Sequence, residues 1–347
     1  MDAAPVNLAI AAAETFGTSL RDDVLAGLAA TPRTLPAKWF YDQHGSELFE
    51  AICDTPEYYV TRTELAILRQ HLDEIAAALP AGAVLIEPGS GAGTKTRLLV
   101  DACRPSAYVA IDISRSMLEI GAAGAARRFP SLQVLAIHAD YTRLDSLPDE
   151  RLPAGAPRVL YFPGSTIGNF TPEETRAFLR RVARWIGPHG SVLIGVDTRK
   201  DTAVLEAAYD DSQGVTARFN LNLLARLNAE LGCVFDLSRF RHRAHFNALE
   251  GRVEMHLESL VEQQVEVAGV VHAFRKGESI HTENSYKYTP DGFRALAASS
   301  GYACRSTWTD AQVAFAIYHL VPIAAGDAAA EVAAQVSETR PRPGGSR

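Results

Sequence analysis

The chain has 347 residues, 47% hydrophobic and 22% charged, with 34 Lys and Arg against 41 Asp and Glu for a formal charge of −7. That composition excludes a wholly disordered or collagen-like chain. The acidic balance gives the protein as a whole no pull toward nucleic acid or anionic membrane. At roughly 150 residues per domain, the length suggests about two domains.

No run of apolar residues is long enough for a transmembrane helix. The N-terminus carries Asp2 and lacks a basic leader, so a secretory signal is not expected. Cys53, Cys103, Cys233 and Cys304 are scattered and form no CxxC pair. They read as reduced thiols of a cytoplasmic protein.

In chain order, the first 60 or so residues show no obvious strand. Ala83–Pro88 then reads as a strand, Thr94–Cys103 as a helix, Ala107–Asp112 as a strand and Ser114–Arg128 as a helix. Gln133–His138 and Arg158–Phe162 follow as strands. Thr171–Ile186 is a helix with an N-terminal signature: Thr171, Pro172, then Glu173 and Glu174. Val192–Asp197 closes the alternation as a fifth strand. Strands alternating with helices predict an α/β fold with a parallel, doubly wound sheet. Asp201–Leu231 reads as one helical stretch. Phe240–Lys276 turns period-two and hairpin-like, which predicts an antiparallel sheet. Pro290–Ser300 is a short helix, and Tyr302–Thr307 with Gln312–Leu320 a terminal hairpin returning to the parallel sheet. The second unit thus interrupts the first, and the N-terminal segment is expected to join it. From Ala324 onward the composition predicts a disordered tail.

Glu87-Pro88-Gly89-Ser90-Gly91-Ala92-Gly93 follows the first strand of the alternation and opens a helix. Glycines permit positive φ and close approach of a ligand to the backbone, and the helix start offers unpaired N–H groups. Asp112 ends the next strand, where a carboxylate can accept both hydroxyls of a ribose. Together they predict an adenosine-containing cofactor at the carboxyl edge of the sheet. The spacing G-x-G-x-G differs from the G-x-G-x-x-G of dinucleotide sites and resembles motif I of class I S-adenosylmethionine-dependent methyltransferases. No HExxH or clustered Cys/His spacing points to a metal.

The likeness extends well past that loop. Leu35–Asp42, Gly45–Phe49, Pro56–Tyr59, Thr61–Glu64, Phe162–Phe170, Tyr209–Asp211, Val253–Met255 and Thr282–Ser285 resemble, in order, the histidine-specific N-α-methyltransferases of ergothioneine biosynthesis. The resemblance covers roughly residues 25–322. It implies trimethylation of L-histidine to its betaine, hercynine. It also implies a Rossmann-like cofactor unit of residues 63–199 plus 287–322, a substrate unit of residues 1–62 plus 200–286, and a tail at 323–347.

Position by position, it assigns Tyr58, Asn169 and Tyr209 to the substrate's amino-acid head group, and Tyr41, Glu283 and Ser285 to the imidazole. Tyr41, Tyr58, Asn169 and Tyr209 are its catalytic set. Phe49, Gly164 and Met255 line the substrate, and Gly89, Ser90, Gly91, Gly93, Lys95, Asp112, Asp140 and Tyr141 hold the cofactor. The expected partners are L-histidine and its methylated intermediates, with no nucleic acid or membrane, and the expected state is a monomer.

The residue types suit that chemistry. A sulfonium methyl needs alignment with an amine lone pair and exclusion of water rather than a covalent nucleophile. Tyrosine hydroxyls and an asparagine amide can hold a carboxylate, and aromatic rings accommodate a quaternary ammonium. Glu283 and Ser285 are alternate residues, so on a strand they face one side. There a carboxylate can accept an imidazole N–H while the hydroxyl serves the other ring nitrogen. Taken singly, Tyr58, Tyr209 and Met255 read as core residues and Glu283 as a solvated charge. The rival readings are methylation of another amino acid such as tryptophan or tyrosine, a NAD-dependent oxidoreductase, and a non-catalytic binding module.

Overall fold

The computed structural model describes residues 7–12, 19–91 and 93–323. The expected tail from Ala324 lies outside the described residues. Strand β1 (Leu8–Ala12) precedes helix α1 (Leu20–Ala29) and the two-residue strand β2 (Arg33–Thr34). A 3-10 turn (Ala37–Phe40) leads into α2 (Gln43–Cys53), α3 (Tyr59–Gln70) and α4 (Leu72–Ala78). The alternating region holds β3 (Val84–Pro88), α5 (Thr94–Cys103), β4 (Ala107–Asp112), α6 (Arg115–Arg128) and β5 (Gln133–His138). It continues with β6 (Arg158–Phe162), α7 (Pro172–Ile186) and β7 (Ser191–Asp197).

Next come α8 (Thr202–Tyr209) and α9 (Val215–Leu231), then β8 (Phe240–Asn247), β9 (Arg252–Ser259), β10 (Gln263–Val267), β11 (Val270–Phe274) and β12 (Ser279–Tyr286). Helix α10 (Pro290–Ser299) and the hairpin β13 (Tyr302–Thr309) and β14 (Phe315–Pro322) end the described chain.

The main sheet runs β1-β5-β4-β3-β6-β7-β14-β13. Its first six strands are parallel, and the terminal hairpin adds two antiparallel ones beside β7. Period-two alternation sends its side chains into two cores. Leu85, Tyr108, Ala110 and Val134 pack on one face with α3, α5 and α6, while Val84, Val109, Ile111 and Leu135 pack on the other with α7 and α10. Burial on both faces explains why these strands read as near-continuous apolar runs. The first core continues without a break into α2, α9 and the β2-β12-β9-β8 sheet, so the interrupting unit is fixed against the parallel sheet.

Two differences from the sequence reading have local causes. The first 60 residues do contain strands. β1 pairs parallel with the edge strand β5, and the Asn7 amide donates to the carbonyls of Ala126, Phe129 and Leu132. An Ala-rich five-residue segment carries little strand signal, so an open sheet edge decided its conformation. Asp201–Leu231 is two helices, not one. The Asp211 carboxylate accepts the N–H groups of Val215 and Thr216 at 2.9 and 2.7 Å, and Gly214 takes φ 65°, so the chain turns and restarts. The capping signature at Thr171 is present in full: the Glu174 N–H donates to its Oγ1 and its own N–H donates back to the Glu174 carboxylate. All four cysteines are free thiols. Among the described residues no helix is long and apolar enough to cross a membrane.

Candidate active site

The glycine loop turns sharply between β3 and α5. Gly89, Gly91 and Gly93 have φ of 70°, 46° and 68°, conformations that L side chains adopt only with strain. A Cβ at Gly91 or Gly93 would meet nothing within 4 Å, and one at Gly89 only the Tyr141 ring at 3.9 Å, so the loop forms an open cradle. Gly93 caps α5 without a side chain, and the buried Ser90 hydroxyl has no partner among the described residues. Glu87, by contrast, points inward. It accepts from Thr96 and Tyr108 at 2.6 Å each, and burial pushes its carboxyl up to about 7. Its role is to brace the loop.

Asp112 ends β4 and accepts the Ser114 N–H at 2.9 Å. Burial raises its carboxyl pKa, against the lowering effect of the backbone N–H groups of Ser114, Gly91 and Ile113. Asp140 follows β5, accepting from the Thr142 N–H and hydroxyl at 3.0 and 2.6 Å and pairing with Lys38 at 3.3 Å. Tyr141 packs beside Phe162, Phe170 and Phe178. A cavity of about 520 Å³ opens between this edge and the N-terminal segment, lined among others by Lys38, Tyr41, Asp42, Ser114 and His138. An open glycine cradle, an orphaned hydroxyl and a carboxylate at the end of the next strand fit an adenosine-bearing cofactor at the carboxyl edge of the sheet. The Lys95 ammonium pairs with the buried Glu64 at 2.5 Å, which also accepts the Gly164 N–H.

Opposite that edge stands an aromatic wall. Tyr41 and Phe49 rings lie 5.7 Å apart, Phe49 and Tyr58 6.3 Å, Tyr58 and Tyr209 6.1 Å. The rings expected at the substrate are therefore one continuous chain, to which Phe219 of α9 is added at 5.8 Å from Tyr41. Burial pushes the Tyr41 and Tyr58 phenols well above their ordinary range. They act as neutral hydroxyls, not as phenolate bases.

Glu283 and Ser285 do share a face of β12, and Met255 is paired with Glu283 across the β9–β12 ladder. Glu283 is half-buried, and among the described residues its carboxylate accepts no hydrogen bond. Burial raises it to about 7, with the Lys287 ammonium pulling the other way. The Ser285 and Tyr209 hydroxyls lie 2.7 Å apart. The loop after β6 closes against them: a Cβ on Gly168 would meet the Ser285 Oγ at 3.4 Å and the Tyr286 backbone at 3.0 Å. That loop carries Gly164 at φ 76° and, half-buried at the end of a 3-10 turn, Asn169.

The sequence reading missed what lies behind this wall. Lys287 donates to Tyr209 and Ser285, and Asp197, Lys200 and Tyr59 complete a buried network with it. Asp197 was findable, since it ends a parallel strand as Asp112 does. Lys287 was also findable, two residues beyond Ser285 on the same alternation. On the outer face of the small sheet, His245, Glu254 and His256 place ligand atoms within 4.8 Å of one another. The Arg252 guanidinium already neutralises that carboxylate at 2.8 Å and holds it down to about 2, and a dication there would face the guanidinium.

Residues 20–322 match the family described as histidine-specific methyltransferase, SAM-dependent. The chain belongs to that family. The enzyme's methyl donor is S-adenosylmethionine. A histidine N-alpha-methyltransferase of Mycolicibacterium smegmatis is 41% identical over 305 residues, 86% of this chain and 94% of that protein. One from Mycobacterium tuberculosis is 42% identical over 298 residues, covering 84% and 91%. Ergothioneine biosynthesis protein 1 of Neurospora crassa is 32% identical over 302 residues, 80% of this chain and 32% of that longer protein.

Proposed function

We propose that the enzyme methylates the α-amine of L-histidine three times to give the trimethyl betaine, as the first step toward ergothioneine, in the cytoplasm and as a monomer. The substrate lies between a cofactor unit (63–199 with 287–322) and a substrate unit (1–62 with 200–286). The observation that carries this reading is the unpartnered Glu283 carboxylate on the same strand face as Ser285, beside the Tyr41–Phe49–Tyr58–Tyr209 rings.

S-adenosylmethionine, when bound, supplies a methyl already activated on a sulfonium. Gly89, Ser90, Gly91, Gly93 and Asp112 hold it, with Lys95, Asp140 and Tyr141 around them. The chain's own residues do the rest. Glu283 accepts the imidazole N–H while Ser285 serves the other ring nitrogen, with Tyr41 beside them. Tyr58, Asn169 and Tyr209 hold the carboxylate and amine, fixing the lone pair toward the methyl. In each round the neutral amine forms an N–C bond as the S–C bond breaks, and one proton per transfer leaves to water. No base of high pKa is needed, because the reference pKa of an α-amine is about 8 in peptides and only somewhat higher in a free amino acid. The aromatic wall, with Phe49 and Met255, shields the amine from water and accommodates the growing cation.

The test is a competition. The purified enzyme, S-adenosylmethionine and all twenty amino acids are incubated together and methylated products are read by mass spectrometry. Trimethylhistidine is the expected dominant product. Methylation of a different amino acid overturns the Glu283–Ser285 assignment and keeps the chemistry.

A further inference from the structure

Lys287 is fully buried. Its ammonium has three N–H groups and three close acceptors: Asp197 Oδ2 at 2.6 Å, Ser285 Oγ at 2.8 Å and Tyr209 Oη at 2.9 Å. An ammonium only donates, so both hydroxyl oxygens accept from Lys287. Those two hydroxyls hold two protons between them, and their mutual contact at 2.7 Å uses one. One O–H is left over, and with the ammonium behind both oxygens it points away from Lys287.

We infer that Lys287 is the positioning residue of the histidine subsite: it makes the Tyr209–Ser285 pair a single, oriented donor aimed at a substrate acceptor, next to Glu283. The inference rests on the proposed function for the identity of that acceptor.

Three further observations bear on it. The anchor is rigid: Asp197 is itself fixed by Lys200 at 2.6 Å and by the Tyr59 hydroxyl at 2.7 Å, and its N–H donates to Ser165 Oγ at 2.9 Å. The charge is permanent: burial disfavours the ammonium, but the Asp197 carboxylate outweighs it and raises the Lys287 pKa. The reach extends to Glu283: the groups facing that carboxylate are the neutral phenols of Tyr41, Tyr58 and Tyr209 and the Lys287 cation, which favours its ionised form. One buried cation thus orients the O–H donor of the subsite and favours the ionised form of its carboxylate.

The test is Lys287→Met in the full-length enzyme. Because an unpaired buried Asp197 can unfold the protein, the double variant Lys287→Met/Asp197→Asn, which removes both charges, is made alongside and the folded one is used. The expected result is a histidine KM raised about tenfold, the effect of losing one charge-assisted hydrogen bond. S-adenosylhomocysteine affinity stays within about twofold. The acidic limb of kcat/KM for histidine also moves to higher pH, because Glu283 loses the cation that favours its ionised form. A folded variant in which either the histidine KM or that limb is unchanged overturns the inference and leaves Lys287 a packing residue. Wild-type histidine turnover, run in parallel, tests the reading of function separately: its absence overturns both, whereas its presence with an unresponsive variant overturns only the role of Lys287.

Discussion

On the sheet side of the cleft, Gly89, Ser90, Gly91, Gly93 and Asp112 come from two consecutive strand–helix units. That side is built from backbone and one carboxylate. On the opposite side, Tyr41, Phe49, Tyr58, Tyr209, Glu283 and Ser285 come from α2 and its approach, the start of α3, the end of α8 and β12. Tyr209 and Ser285 are held from behind by Lys287, which Asp197 anchors. The first wall is local and tolerant of its surroundings. The second exists only once distant elements have packed, so its properties are set by a buried charge network. A cofactor common to many reactions can be held by a portable loop, whereas recognising one amino acid takes polar groups left unpaired until the substrate arrives.

The sharpest way to break this contrast is Glu283→Ala. Losing the Glu283 carboxylate, which accepts no hydrogen bond among the described residues, should lower histidine kcat/KM on the order of 100-fold, while S-adenosylhomocysteine affinity by calorimetry stays near wild type. Equal losses on both sides would mean that the two walls are not separate.

Asp112→Ala is the mirror experiment. Cofactor affinity should fall about tenfold, as for loss of a charged hydrogen bond, with the fold intact by circular dichroism. Unchanged affinity would remove the ribose assignment.

A pH profile sharpens the comparison further. Burial pushes the Glu283 carboxyl up to about 7, and its ionised form accepts an imidazole N–H more strongly than its neutral form. Histidine kcat/KM should therefore fall as pH drops through that value, and Glu283→Gln should lose this limb. A limb that survives in the Gln variant belongs to another group.

The smallest effect is expected away from both walls. Thr171→Ala removes the capping box of α7 and should cost about 1 kcal/mol of stability, read as a lower melting temperature with kcat/KM unchanged. A change in turnover would show that α7 couples to the cleft.

The glycine loop and the strand-end Asp112 were legible because their signals are short-range: a glycine spacing after an apolar strand, and an acid at the end of the next strand. The rings of the second wall were named by a family resemblance, and the structure brings Tyr41, Phe49, Tyr58 and Tyr209 into one chain. Less was visible where partners are remote. The ion pair of Lys95 with Glu64 from α3 was not visible in the sequence. Phe219 was not singled out, because its ring meets Tyr41 only once α9 has packed. Strand β1 was not seen, because its pairing depends on the free edge of β5.

By itself, the sequence determined the alternating α/β order, the glycine cradle with Asp112, the capped helix α7 and the same-face placement of Glu283 and Ser285. Each follows from periodicity or spacing over a few residues, where backbone sterics and local hydrogen bonds decide the outcome. Only the tertiary structure decided that Lys287 stands behind Tyr209 and Ser285, that Asp197 holds Lys287, Lys200 and Tyr59, and that Glu283 is left without a partner and poised at about 7. Those properties depend on desolvation and on charges brought together from distant segments, and neither exists until the chain has folded.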